Sequence, residues 1–347
     1  MEQSDTLACE LASQSRISLA HDAQEVAARR NLRVGVLFCL TATILYSLCN
    51  VCYKEMNALG MDNRWMIFIK ELFTIGCVTP FIVYWTIRRR YHWPALKWVL
   101  GVLIGGFFCQ YIGARLHLWA IGTIGLVVSI PLIQAANMTG AAGIGRAFLG
   151  ERIGPHCRIA MVAMLLAMCF LLFGPSQPVG EESGRLLTGK SLLIGGIWAL
   201  VAGVSYSVHI VLLRKVSMSC QMPISFIAVL VTGIGAVIFG FEFLRDHGYQ
   251  LAAIWENVPP RAWVLILLTG LMNMVGFLFQ ITGVRYTVVA RAQMIAVAQI
   301  VIGTLFGVFF YREMTNIMIW LGLALTVLGI YFASTPDKKE CSADGNV

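Results

Sequence analysis

Residues 119–151 read WAIGTIGLVVSIPLIQAANMTGAAGIGRAFLGE. The stretch is apolar and long enough to cross a bilayer, yet Pro131, Gln134 and Asn137 stand in its middle. Polar side chains in hydrocarbon have no water to bond, so they face a bundle interior or a cavity. Its second half is small (Thr139, Gly140, Ala141, Ala142, Gly143, Gly145), and small residues let helix backbones approach closely. The same design returns at 281–313, ITGVRYTVVARAQMIAVAQIVIGTLFGVFFYRE. There Gln293 takes the place of Pro131, Gln299 that of Asn137, and Gly303 and Gly307 those of Ala141 and Gly145. Both copies close on a glutamate, Glu151 and Glu313. Two such helices in matching positions of one chain point to a binding site at a repeat interface.

Composition agrees with a membrane setting. Of 347 residues, 58% are hydrophobic and only 13% charged, too few polar groups to cover a soluble protein of this size. The reading is an all-α polytopic membrane protein; a β-barrel would instead show alternating ten-residue segments. The formal charge of +8 suits a nucleic-acid binder in principle. Here, however, Lys and Arg lie between apolar runs, where they act as topology signals. Most of the ten cysteines sit inside apolar runs. Cys49 and Cys52 form a C-x-x-C that reads as small apolar filler on a spanning helix. No metal and no cofactor is expected.

Ten spans are read, near 34–53, 65–87, 98–117, 121–145, 157–174, 191–213, 222–243, 262–284, 287–311 and 315–334. Residues 1–33 hold no long apolar run and read as a cytoplasmic N-terminal tail without a cleavable signal peptide. The first five-helix repeat covers 34–175, a connecting loop 176–190 and the second repeat 191–334. Residues 335–347 form a cytoplasmic C-terminal tail. With the N-terminus inside, the cytoplasmic segments carry more than twice as many Lys and Arg as the outer ones, and Arg88-Arg89-Arg90 is the strongest single signal. The halves repeat: Ala42, Tyr46, Ser47 and Lys54 match Ala202, Tyr206, Ser207 and Arg214. Five helices per repeat is an odd number, so the second repeat enters from the opposite side. That makes ten transmembrane helices as two inverted five-helix repeats.

In this arrangement the chain resembles the EamA family of the drug/metabolite transporter superfamily. The resemblance covers about 34–334. It is carried by Pro131, the run to Leu149-Gly150-Glu151-Arg152-Ile153, and the second-half Arg312-Glu313-Met314. It implies export or exchange of small metabolites by alternating access around a central cavity. The chain departs from the family pattern in having Gln293, not Pro, in the second half, and in placing Arg115 near the end of the third span.

Several residues are candidates for that cavity. Tyr46 and Asn50 share one face of the first span, and Tyr206 and His209 lie together on the sixth. Gln110, Tyr111, Arg115 and His117 make the third span polar. Gln134 and Asn137 on the fourth, Asn273 and Gln280 on the eighth, and Gln293 and Gln299 on the ninth add amides. Amides both donate and accept, which suits a zwitterionic or polar neutral solute; they also serve as glue between helices. Lys70 and Glu71 lie inside the second span, where an unpaired ion is costly. Glu71 is expected to pair with Arg115 or Lys70 and to be a candidate proton carrier. Arg115 could grip a carboxylate or phosphate, or snorkel to the interface.

Other patterns are discounted. Residues 184–191, GRLLTGKS, match G-x-x-x-x-G-K-[ST], but no strand precedes them and a spanning helix follows. The Asn137 sequon lies inside a span, and no enzyme motif is found. Glu151 and Glu313 read as ordering the turn into the last helix of each repeat. The expected protein is a secondary transporter, exporting small organic metabolites or drugs around a midplane polar cavity. Its partners are the solute and the lipid bilayer, with room for proton coupling and a homodimer, and no nucleic acid. The short loops suggest a bacterial inner (plasma) membrane. A phosphorylated-metabolite or nucleotide-sugar exchanger is the alternative within transport, resting on Arg115, Lys70 and Arg291. Outside transport stand an ATP-dependent membrane enzyme and a non-transporting receptor or assembly subunit.

Overall fold

The computed structural model describes residues 2–88, 94–124, 126–151, 153–173, 189–220, 222–256, 258–310 and 317–335. Among them there is no strand. Long apolar runs leave the backbone only its own amides to bond with in a bilayer, and the helix satisfies them within one segment. In chain order the helices are α1 (Glu2–Ala58), α2 (Asn63–Ile87), α3 (Leu96–Phe107), a π-helical segment (Phe108–Ala114), α4 (Arg115–Ile124) and α5 (Leu126–Leu149). Then follow α6 (Pro155–Phe173), α7 (Gly189–Ser219), α8 (Ile224–Asp246), α9 (Pro260–Tyr286), α10 (Val289–Ala296), α11 (Ala298–Phe310) and α12 (Ile317–Ser334). Among the described residues seven helical stretches are long and apolar enough to cross a membrane: Arg30–Ala58, Asn63–Ile87, Leu96–Ile124, Leu193–Ser219, Ile224–Asp246, Pro260–Tyr286 and Ile317–Ser334. Pro155–Phe170 and Val289–Gly303 are shorter apolar helices.

Some expected boundaries move. Residues 2–33, read as a tail, form one helix with the first span. The third span runs to Ile124 rather than 117, because the π segment and α4 continue α3 with no break. The ninth is divided: α10 ends at Ala296, and the turn tightens to three-residue hydrogen bonds, Val297 N to Met294 O and Ile300 N to Val297 O. It divides without a proline, while α5 carries Pro131 unbroken. Residues 176–188 of the connecting loop, Arg312-Glu313-Met314, Arg89, Arg90, Arg152 and the tail from 336 lie outside the described residues.

The packing is inside-out relative to a soluble protein. Large apolar side chains such as Phe81, Ile87, Leu193, Val237 and Phe309 point outward, while Lys70, Glu71, Gln110, Asn137, His209 and Gln293 are buried. The four most extensive helix pairings are α1 with α9, α5 with α7, α2 with α8, and α6 with α12. A glycine stands at each crossing. A Cβ on Gly283 would lie 2.6 Å from Cys39 Sγ, one on Gly203 2.3 Å from Ile133 O, one on Gly240 2.5 Å from Phe68 Cε2 and one on Gly329 2.6 Å from Met164 Cγ. Between helices that gain nothing from the hydrophobic effect, close approach of this kind supplies the contact. Gly140 also meets a neighbour closely, Ser207, but Gly143 and Gly303 face open space.

Candidate functional site

The site starts from a buried ion pair on α2. Lys70 Nζ lies 2.7 Å from Glu71 Oε1, and the same oxygen accepts from Gln110 Nε2 at 2.9 Å. Glu71 is fully buried and Lys70 nearly so. Either charge alone would be heavily destabilising there; together, with the amide, they offset each other's desolvation. Of the two partners expected for Glu71, the structure has Lys70. Arg115 instead forms an ion pair with Glu242 of α8.

Gln110 belongs to the π segment. A π turn holds an extra residue and re-aims the side chains that follow. Here Cys109, Gln110 and Ala114 line the same cavity as His117, Leu118 and Ile121 of α4. Gly113 makes room for the facing aromatic ring: a Cβ there would lie 2.7 Å from Tyr206 Cε1. The Tyr206 hydroxyl then stands 3.2 Å from His117 Nδ1.

The cavity measures about 190 Å³. Tyr46 and Asn50 reach it from α1, Gln134 and Asn137 from α5, Tyr206 and His209 from α7, Asn273 and Gln280 from α9, Gln293 from α10 and Gln299 from α11. Lys70 and Gln110 complete the polar lining named above. Four hydrogen bonds cross it from the chain before 174 to the chain after 188. Tyr46 Oη donates to Gln280 Oε1 at 3.0 Å, Asn137 Nδ2 to Gln293 Oε1 at 2.7 Å and Gln134 Nε2 to Gln299 Oε1 at 3.4 Å. The His117–Tyr206 contact is the fourth. Asn137 Oδ1, Gln134 Oε1 and His117 Nε2 are buried without a hydrogen-bond partner among the described residues. The His209 ring stacks on Phe277 with centroids 6.1 Å apart.

Two of the sequence candidates stand elsewhere. Tyr111 is in the π segment but does not line the cavity; its ring stacks on Phe107 at 5.1 Å, with the Arg115 guanidinium 4.5 Å from its centroid. Arg115 lines a second hollow of about 400 Å³, with Asp62, Arg64, Glu242 and Arg245. At the other end of the bundle Arg214 Nε bonds Glu151 Oε1 at 2.5 Å, and its Nη1 donates to the carbonyls of Val284 and Thr287. Glu151 Oε2 accepts from Val289 N at 3.0 Å, capping α10 from across the chain. Glu151, expected to order its own turn, thus also ties that turn to α7 and α10.

Sequence reasoning passed over Cys49, Tyr53, Cys109 and Thr232, all of which line the cavity. The i, i+3 and i, i+4 spacing of Tyr46, Cys49, Asn50 and Tyr53 was a signal for two of them; nothing marked Thr232. Among the described residues no group of three His, Cys, Asp or Glu is placed to hold a metal.

Comparison with known proteins fits a polar cavity inside a membrane bundle. The uncharacterized transporter YwfM of Bacillus subtilis (strain 168) is 31% identical over 229 residues, which are 65% of this chain and 68% of that protein. The profile of the EamA-like transporter family matches residues 193–335. The chain belongs to the EamA-like transporter family. It is an integral membrane protein built of transmembrane helices, and a transporter by family. A solved crystal structure of a protein, 17% identical, matches with a TM-score of 0.60 over 86% of this chain and 96% of its own, which shows a shared fold.

Proposed function

We propose that this EamA-like protein is a secondary transporter that exports small polar organic solutes by alternating access, with the cavity around Asn137 and Gln293 as its binding site. The observation that carries the reading is where the cavity lies. Its polar contacts run from one half of the chain to the other, so a change in how the halves meet must remake the site. Its size is close to a hole that admits benzene, roughly 150 Å³, which suits a solute of one ring or one amino acid. The unpartnered Asn137 Oδ1 and Gln134 Oε1 favour a solute that donates hydrogen bonds.

The proposed architecture has ten crossings, the seven long apolar helices together with α5, α6 and the divided α10–α11, as two inverted repeats. The pattern of neighbours supports it. Exchanging each helix with its mate in the other half turns the α1–α9 pairing into that of α7 with the α3–π–α4 crossing, and α5–α7 into α10–α11 with α1; all of these pairs are in contact. The α2–α8 and α6–α12 pairings map onto themselves. The loop charges favour cytoplasmic termini in a bacterial inner membrane. Glu71 is the proposed carrier of any coupling proton, and a homodimer remains part of the proposal.

A phosphorylated substrate is disfavoured by the placement of the cations. Lys70 lines the cavity but is paired with Glu71, Arg115 stands in the second hollow, and Arg291 is not in the lining. The test is a thermal-stability screen of the detergent-purified protein against amino acids, purines, sugar phosphates, nucleotide sugars, cationic drugs and ATP. A ligand at about 100 times its dissociation constant adds roughly 2.7 kcal/mol when it binds only the folded state. Hits among neutral or zwitterionic solutes, carried across vesicles containing the protein alone, are the expected result. Hits confined to phosphorylated compounds would overturn the substrate class, and hits without flux would favour a receptor.

A further inference from the structure

The cavity and the second hollow are neighbours. Ile67 and Leu118 line both, so at that place a single layer of side chains divides them. The two residues belong to one small apolar cluster with Phe239, which also lines the second hollow. Ile67 comes from α2, Leu118 from α4 and Phe239 from α8, so the layer is made by both halves of the chain. Arg115 ties it together: its guanidinium lies 5.3 Å from the Phe239 ring centroid and forms an ion pair with Glu242, one turn along α8. Further out, Arg64 joins Asp62, at the start of α2, to Asp246 at the end of α8.

The opposite end of the bundle is built differently. There the Arg214–Glu151 pair is buried, with side-chain exposures of 7% and 12%, against 20% and 19% for Arg115–Glu242. The Arg214–Glu151 pair also holds two carbonyls and a helix N-terminal amide. Partly exposed ion pairs contribute little, whereas separating a buried, fully bonded pair is costly. The thin end is therefore the Asp62 end.

We infer that the hollow lined by Asp62, Arg64 and Arg115 is the vestibule of the central cavity, and that Ile67, Leu118 and Phe239, held by the Arg115–Glu242 pair, are the gate between them. The inference rests on the transporter reading for its purpose, though not for its geometry. In the orientation favoured by the loop charges, the vestibule faces away from the cytoplasm and is the solute's way out. Opening requires α8 to move from α2 and α4, which parts Phe239 from Ile67 and Leu118 and draws Glu242 from Arg115. The charges of the vestibule become its hydrated walls, and the apolar layer alone decides whether the cavity is wet.

A native thiol reads the gate. Cys109 is a free cysteine in the cavity lining. With all other cysteines replaced by alanine, the full-length protein is reconstituted in vesicles and treated with a charged, membrane-impermeant methanethiosulfonate, applied in turn to each face. Leu118→Ala is expected to speed modification of Cys109 about tenfold or more from the Asp62 face, since losing a packed Leu side chain removes much of the closed state's advantage. Arg115→Gln gives a smaller rise, and exchanging the charges, Arg115→Glu with Glu242→Arg, restores slow labelling. The Arg115 pair covers the case in which Leu118→Ala fails to fold. Unchanged rates in folded variants, or a rise only from the Glu151 face, would overturn the gate. Labelling needs no solute, so the two readings fail separately. Faster labelling without flux leaves a gated cavity and removes the transporter, while flux with unchanged labelling removes the gate alone.

Discussion

Replacing Glu71 by Ala tests the ion pair at the root of the cavity. Glu71 Oε1 serves two donors, the Lys70 ammonium at 2.7 Å and the Gln110 amide at 2.9 Å. Alanine removes both contacts and leaves a positive charge in a site where Lys70 is only 7% exposed. An uncompensated buried charge costs about 3–5 kcal/mol. At about 2 °C per kcal/mol for a chain of this size, the unfolding midpoint should fall by roughly 6–10 °C. Lys70→Met leaves the opposite charge behind and should cost a similar amount. The double variant removes both charges together, so it should lose no more than either single variant, the remaining cost being the Gln110 amide left without its acceptor, about 1–3 kcal/mol. The assay is thermal unfolding of the four detergent-purified proteins by tryptophan fluorescence, read as a double-mutant cycle with an expected coupling of at least ~2 kcal/mol. Single effects that simply add in the double variant would show that the two charges do not sustain each other, and the account of this site would fail.

Glu71→Gln keeps both hydrogen-bond geometries and removes only the ionisable group; flux in vesicles should then lose its dependence on an imposed pH gradient, and unchanged coupling would remove Glu71 as the proton carrier. Gly203→Ala places a Cβ 2.3 Å from Ile133 O and 2.9 Å from Asn137 N, so it should cost about 1–3 kcal/mol through overpacking, whereas Gly143→Ala, with nothing within 4 Å, should leave the midpoint unchanged or slightly raised. Gln293→Leu removes the acceptor of Asn137 Nδ2 and should cost about 1–3 kcal/mol for the amide left unpaired; the double variant with Asn137→Leu should regain stability but bind no solute, and a double variant that still transports would show these amides to be glue alone.

Much of the cavity was legible because polar residues inside apolar runs are conspicuous. Gln134, Asn137, Asn273, Gln280, Gln293 and Gln299 have no other interior to face, and all six line one hollow. Helical spacing served equally well for Tyr46 with Asn50. Tyr111 falls outside the lining because it shares a helix face with Arg115, whose guanidinium lies 4.5 Å from its ring, while Gln110 and His117 on the other face line the cavity. No local propensity marks the π segment at 108–114, where Gly113 meets the Tyr206 ring across the bundle. The pairing of Arg115 with Glu242 was missed for a related reason. Opposite charges can be paired only when the neighbouring helices are known, and α8 lies far along the chain from α4. The division of α10 from α11 carries no proline or glycine at its break and was equally silent.

The four chief helix pairings also bear on how the protein is made. Each one joins a helix before residue 174 to a helix after 188. When the ribosome has released the first five hydrophobic segments, their main partners have not yet been synthesised. Gly283, Gly203, Gly240 and Gly329, which shape the crossings, all lie in the later portion. The early segments must therefore wait in the lipid, with Lys70 and Glu71 already paired by their adjacency, until α7 to α12 arrive to interleave with them. Neither portion holds a core of its own, so a chain interrupted near residue 180 should be cleared by membrane proteases, while the two fragments produced together in one cell should protect each other.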